Sequence, residues 1–246
     1  MQNRYSGDIG DFSKLGVLRA LHDVGLSIGL NWYLTPDESH NSDGRHTKYL
    51  DDEAYRACDP ELWHELGPIG KSDDRRVSRL ESKRILDATF FSDCLDFRDE
   101  DSGKPKRKPE RDALRKEWYQ RSLDMLAGLD VVCVDPDNGL LVSSAAGTFK
   151  ENKFVLPREL AGYYARGSSV VCYQHKARKP DYAYARQFVD LLQGGLFPGA
   201  SGFALKFEKT SQRYYLFIVR PEHRQAIESS MDAMLKTAWG SCFCLL

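Results

Sequence analysis

The chain reads as an α/β protein: a mostly parallel sheet, a helical insertion after the first strand, and an antiparallel hairpin toward the C-terminal end. Three observations predict this. Short apolar runs at 28–34, 130–134 and 168–173 are too continuous for half-exposed strands and fit strands buried on both faces. Segments of helical spacing lie between them, and strands that alternate with helices imply parallel pairing through crossovers. Two later β-rich runs, 203–207 and 214–219, flank a short polar turn, which is a hairpin pattern.

Each element has a local reason. Residues 11–25 carry an apolar stripe of Phe12, Leu15, Leu18 and Leu21, with Asp11 placed to cap and Gly25 to stop the helix. Lys14 and Arg19 project from it. A strand at 28–34 follows. Residues 47–97 look helical, with a start at Asp59-Pro60 and a short strand at 89–91. Residues 98–112 form a charged connector with two prolines. Residues 110–126 are a helix packing through Leu114, Trp118, Leu123 and Leu126. Beyond the strand at 130–134 come a short apolar stretch at 153–156, a helix at 157–166 begun by Pro157, the strand at 168–173, and a helix at 182–192. The hairpin and a closing amphipathic helix at 221–235 complete the order, and no internal repeat is visible. The expected organisation is a single α/β domain over 1–246, with the insertion spanning about 47–128.

Composition narrows the function classes. The 246 residues carry a formal net charge of −1, so no global basic field draws in nucleic acid and such a partner would need a local patch. The strongest patch is Lys104, Lys106, Arg107, Lys108, Arg111, Arg115 and Lys116, read either as a phosphate contact or as a solvated loop leading into a helix. The N-terminal stretch has no apolar core of a signal peptide and no run is long enough to span a membrane, so a cytoplasmic location is expected. The six cysteines are scattered, and buried free thiols suit a reducing compartment better than a disulfide framework does. Cys242 and Cys244 lack the spacing of a zinc knuckle.

Three of the expected strands end in chemically equipped tails. The run at 131–134 breaks into Asp135-Pro136-Asp137-Asn138-Gly139, which places two carboxylates and an amide just past a buried strand. In open α/β sheets, ligands bind outside the carboxyl ends of the strands; an ordinary turn would use the same residues. The strand at 28–34 empties into a loop with Asp37, Glu38, His40, Asp43 and His46, and the strand at 168–173 into Gln174, His175, Lys176 and Arg178. The expectation is that residues 37, 135 and 175 converge on one rim.

The element order is also the layout of Rossmann-like methyltransferases, whose sheet closes with such a hairpin. The opening YSGDIGDFSKLGVLRAL resembles the N-terminal glycine-and-acid motif and helix of the bacterial 23S ribosomal RNA adenine-N6 methyltransferases. The Asp135-Pro136-Asp137-Asn138 tail resembles that family's Asp-Pro-Pro-Tyr, which holds the target amine. The likeness extends over most of the chain. It implies S-adenosylmethionine as cofactor, with Asp8, Asp37, Glu38, His40 and Asp43 around it, Asp135 on the amine, and Lys104, Lys106, Arg107 and Lys108 on nucleic-acid phosphates. The sequence departs from the family at two points. Pro36, Glu38 and His40 stand where small cofactor-loop residues are expected, and the second proline and the aromatic of the amine motif are missing.

Two other readings stay open. A metal-dependent nuclease or phosphoesterase would hold Mg²⁺ or Mn²⁺ on Asp37, Glu38, Asp135 and Asp137, hard oxygen ligands for hard cations. His40 or His175 would serve as acid or base, and Lys176 or Arg178 would face phosphate charge. In either enzyme the catalytic candidates are Asp135, Asp137, Asn138, His175 and Lys176. The third reading is a degenerate fold kept as a binding module.

Overall fold

The computed structural model describes residues 1–38, 46–83, 85–177 and 179–246. Helix α1 (Ile9–Asp23) starts three residues earlier than its apolar stripe suggests. Asp8, not Asp11, is its cap: Asp8 Oδ1 accepts from the amides of Gly10 at 2.7 Å and Asp11 at 3.3 Å. Strand β1 (Ile28–Asn31) is shorter than expected. The Asn31 side chain accepts from the Tyr33 amide at 2.8 Å, and Tyr33 takes a positive φ of 45°, so the chain turns off the sheet there.

The helical stretch after it breaks into α2 (Glu53–Arg56), α3 (Pro60–Gly70) and α4 (Val77–Ser82), followed by strand β2 (Thr89–Phe91). Asp59 caps α3 as its sequence position suggests, accepting from the Leu62 amide at 3.0 Å. Helix α5 (Lys108–Met125) precedes β3 (Val131–Val134). The short strands β4 (Gly139–Leu140) and β5 (Phe154–Val155) pair with each other. Then come α6 (Pro157–Ala165), β6 (Ser169–His175), α7 (Asp181–Gln193), β7 (Ser201–Phe207), β8 (Arg213–Val219), α8 (Arg224–Leu235) and a strand not foreseen in the sequence, β9 (Phe243–Leu245).

Among the described residues the main sheet has seven strands in the order β2-β1-β3-β6-β8-β7-β9. β2, β1, β3 and β6 are mutually parallel. β8 runs antiparallel to both β6 and β7, and β9 antiparallel to β7. The fold is therefore α/β with a mixed, half-parallel sheet, and the expected late hairpin is β7–β8.

Both faces of this sheet are covered, and the period of two in the strands shows how. Val131 and Cys133 of β3, with Tyr215, Phe217 and Val219 of β8, join the core beneath α1, α3, α4 and α8. Val132 and Val134, with Tyr214, Leu216 and Ile218, join the core beneath α5, α6 and α7. A strand buried on both sides has no polar position to spare, which is why these runs look continuous. No helix among the described residues is long and apolar enough to cross a membrane.

Candidate functional site

β1 connects onward to β2 on one side and β3 to β6 on the other, so the strand order reverses between the parallel strands β1 and β3. A polar cup of about 350 Å³ opens at this carboxyl edge, which is within the range of small-molecule sites. Asp8, Glu38, Asp135, Asp137, Asn138 and His175 all line it. Three of the expected tails thus do meet, through Glu38 rather than Asp37. The Asp37 carboxylate lies outside the lining and accepts from the Arg4 amide at 3.2 Å. His40, Asp43 and Arg178 fall outside the described residues.

One side-chain amide braces the turn after β3, beside the backbone bond from the Asn138 amide to the Lys153 carbonyl. Gln174 of β6 donates from Nε2 to the carbonyls of Asn138 at 3.1 Å and His175 at 2.9 Å, and its Oε1 accepts from the Leu140 amide at 2.9 Å. Gly139 sits at φ +93° with this side chain packed against it, so neither the backbone angle nor the space admits another residue easily.

The two carboxylates of the tail are already matched by cations. Asp135 is buried, and its Oδ2 accepts from Lys14 Nζ at 2.6 Å; Lys14 also lies 2.8 Å from Asp11 Oδ1. Burial alone would drive the Lys14 ammonium toward its neutral form. The two acids outweigh that and hold its pKa well above the ordinary lysine value. Asp137 Oδ1 lies 2.7 Å from the Met1 ammonium, and its Oδ2 accepts from Gln2 Nε2 at 2.8 Å. Burial pushes the Asp137 carboxyl up, but the ammonium, the Gln2 amide and Lys153 more than offset it, leaving its pKa below the usual carboxylate range. The Met1 ammonium also donates to the carbonyls of Tyr33 at 3.1 Å and Asp135 at 3.0 Å, so Met1 and Gln2 lie across the ends of β1 and β3. Glu38 pairs with Lys153 at 2.6 Å. Asp8 is a helix cap whose carboxyl is pushed up mainly by burial.

Arg213 was not singled out from the sequence. It opens β8 opposite His175 of β6, is 4% exposed, and lines the cup. Its Nε and Nη2 donate to one carbonyl, that of Ser211, at 2.9 and 2.8 Å. The guanidinium stands 6.0 Å from the Tyr173 ring centre and 5.8 Å from that of Phe207, and a Cβ on Gly10 would collide with its Nη1. The fields of Asp8 and Asp135 reach it, but among the described residues no carboxylate forms an ion pair with it.

Lys176, expected beside His175, is not brought to the cup. It pairs with Asp181, which also binds Lys206 at 2.8 Å and accepts from the Tyr214 hydroxyl at 2.7 Å. The side-chain bonds from Lys176, Lys206 and Tyr214 hold the Asp181 carboxyl well below its usual range. Successive residues at a strand end point to opposite faces, so His175 and Lys176 part company. The basic cluster is largely matched within itself: Lys106 with Asp99 at 3.9 Å, Arg107 with Glu110 at 2.5 Å, and Lys108 with Asp112 at 2.6 Å. Arg115 is buried, bonded to Glu159 at 2.6 and 2.7 Å, and so does not belong to a phosphate-facing surface.

The described donor set does not fit a metal ion, and the surroundings of β1 depart from the pattern expected for S-adenosylmethionine. Among the described residues no three His, Cys, Asp or Glu side chains gather as a metal ion needs, and Asp135 and Asp137 spend their oxygens on ammonium and amide groups. For S-adenosylmethionine, the glycine loop is missing and the chain past β1 is Trp32, Tyr33, Leu34 and Thr35, all buried; Met1 and Gln2 occupy the crevice beside it. A scan against protein-family models and a search of curated proteins both return no match to this chain.

Proposed function

We propose that this protein is a Rossmann-like, methyltransferase-like domain whose polar cup binds a small ligand bearing a negative group, with Arg213 as the counter-ion. The observation that carries the reading is Arg213 itself. A guanidinium is always charged, and burying one without an anion is costly. Among the described residues Arg213 has no carboxylate within ion-pair distance, whereas Lys14 has two, Met1 has Asp137, and Lys153 has Glu38. A ligand carboxylate or phosphate would meet the free face of the fork with a charge-assisted bond, which a neutral ligand could not. Five acids line the same cup, so a singly charged anion or a zwitterion is favoured over a multiply charged one.

The sheet order favours a second reading. An antiparallel strand slotted between β6 and β7 is the arrangement of Rossmann-like methyltransferase sheets, and this supports S-adenosylmethionine, whose amino-acid end is a zwitterion, as the first ligand to try. Methyl transfer to nucleic acid rests on that likeness, and a fold does not fix chemistry. The metal-dependent hydrolase is disfavoured by the donor set.

Calorimetry separates these readings. The probes are S-adenosylmethionine, its demethylated product, glycine, acetate and inorganic phosphate. At least one should give saturable heat with the parent and at least tenfold weaker binding with Arg213→Gln. Equal binding by the variant and the parent would overturn the role of Arg213. No heat from S-adenosylmethionine at millimolar concentration would remove the methyltransferase reading and leave the anion-binding one to the other probes.

A further inference from the structure

Two of the six cysteines stand together, away from the groups that build the cup. Cys58 follows α2 in the helical insertion, and Cys242 immediately precedes β9. They are 184 residues apart in sequence, yet their Sγ atoms lie 3.8 Å from each other, the one thiol–thiol contact among the described residues. Cys58 is partly exposed and Cys242 is buried, so the pair reaches solvent on one side only. The remaining cysteines differ in setting. Cys133 and Cys172 are buried within β3 and β6 and contribute to opposite faces of the sheet. Cys94 is exposed, and Cys244 lies in β9.

The surroundings favour reaction at this pair. The two sulfurs lie within hydrogen-bond distance of each other, the Cys58 thiol also lies 3.4 Å from the Ala54 carbonyl, the Ser241 hydroxyl lies 3.7 Å from the Cys242 sulfur, and the Lys209 ammonium adds its field there. The neighbouring Cys58 thiol is the largest influence, and with Ser241 and Lys209 it outweighs burial and lowers the Cys242 thiol below its ordinary value, which favours the reactive thiolate. Closing a disulfide requires the sulfurs to approach to about 2 Å. Cys58 lies in the turn after a four-residue helix.

We propose that Cys58 and Cys242 are a reversible redox pair that closes to a disulfide in the presence of a hydroperoxide. The Cys242 thiolate attacks one peroxide oxygen, the O–O bond breaks, and the leaving hydroxide takes a proton to become water. Cys242 is then a sulfenic acid. The Cys58 sulfur attacks it, the S–S bond forms, and the sulfenic hydroxyl leaves as water with the Cys58 proton. The two sulfurs lose two electrons in all, and the peroxide oxygens gain them. A dithiol reductant reverses the result. The bond ties the insertion to the strand at the edge of the sheet.

The test uses the full chain with equimolar hydrogen peroxide, alkylation of the remaining thiols, proteolysis and peptide mass spectrometry. The expected product is a cross-linked peptide pair containing Cys58 and Cys242, formed before Cys94 is modified and released by dithiothreitol. Cys58→Ser and Cys242→Ser, each checked for folding by circular dichroism, should lack it. Alkylation of all accessible thiols with no cross-link, a cross-link from Cys58 to Cys244, or direct passage of either sulfur to sulfinic acid would each overturn the proposal. The parent measurement stands even if a variant fails to fold.

Discussion

Lys14 and Asp135 lie 121 residues apart in sequence and 2.6 Å apart in space, and their contact ties the first turns of α1 to the end of β3. Both are buried, and Asp11 shares the ammonium. Removing the cation leaves two buried carboxylates near each other with their shared counter-charge gone. Lys14→Met should therefore lower stability by about 3–5 kcal/mol, the scale for breaking a buried pair from one side. Adding Asp135→Asn should recover part of that loss. Urea unfolding of the parent, the single and the double variant at pH 7 measures it, and an additive double variant would refute the coupling.

The pairing of Asp137 predicts a dependence on acid. Its folded pKa lies below that of an unfolded carboxylate, about 3.9. The stability it contributes is complete well above the unfolded value and drains away as pH falls through the folded one. Asp137→Asn should be less stable than the parent at pH 7, with the gap narrowing toward pH 3. Urea midpoints across that range check both the sign and the window.

Gly10→Ala separates the site from the fold. Alanine in a helix is favoured over glycine by about 1 kcal/mol, which offsets part of any strain. The new Cβ would nevertheless meet the Arg213 guanidinium and the Asp8 carboxylate. The variant should keep a near-parental thermal midpoint yet lose at least tenfold in affinity for whichever anionic probe the parent binds by calorimetry.

The internal matching of the basic cluster predicts weak attachment to nucleic acid. Changing Lys104, Lys106, Arg107 and Lys108 together to alanine should alter the fluorescence anisotropy of a labelled single-stranded RNA at about 0.15 M salt by less than threefold in apparent affinity. A large loss with a steep salt dependence would restore phosphate contact by this segment.

Much of the sheet can be read from its strands. Val131 to Val134 are all buried, as an unbroken β-branched run suggests, and Asp135 through Asn138 do open onto a cup. Pro157 starts its helix where expected. The partners of the acids could not be read, because they come from far away in sequence: Met1 and Gln2 for Asp137, Lys14 for Asp135. A lysine on a helix and an arginine at a strand start look like surface residues until the fold buries them. Lys14 and Arg213 therefore carried no local signal, and Asp135 and Asp137 looked freer for chemistry than they are. β9 was missed because three residues, Phe243 to Leu245, are too short to show alternation.

The place of β8 has a consequence for synthesis. It is made after β7 but inserts between β6 and β7, so the facing edges of both neighbours stay unpaired until residue 219 has left the ribosome. A growing chain halted after β7 would carry open edges on β6 and on both sides of β7, flanked by buried aromatic and aliphatic side chains, the kind of surface on which chains clump together. The nascent protein thus passes through its most vulnerable moment late, and assistance from a chaperone would count most over that final stretch.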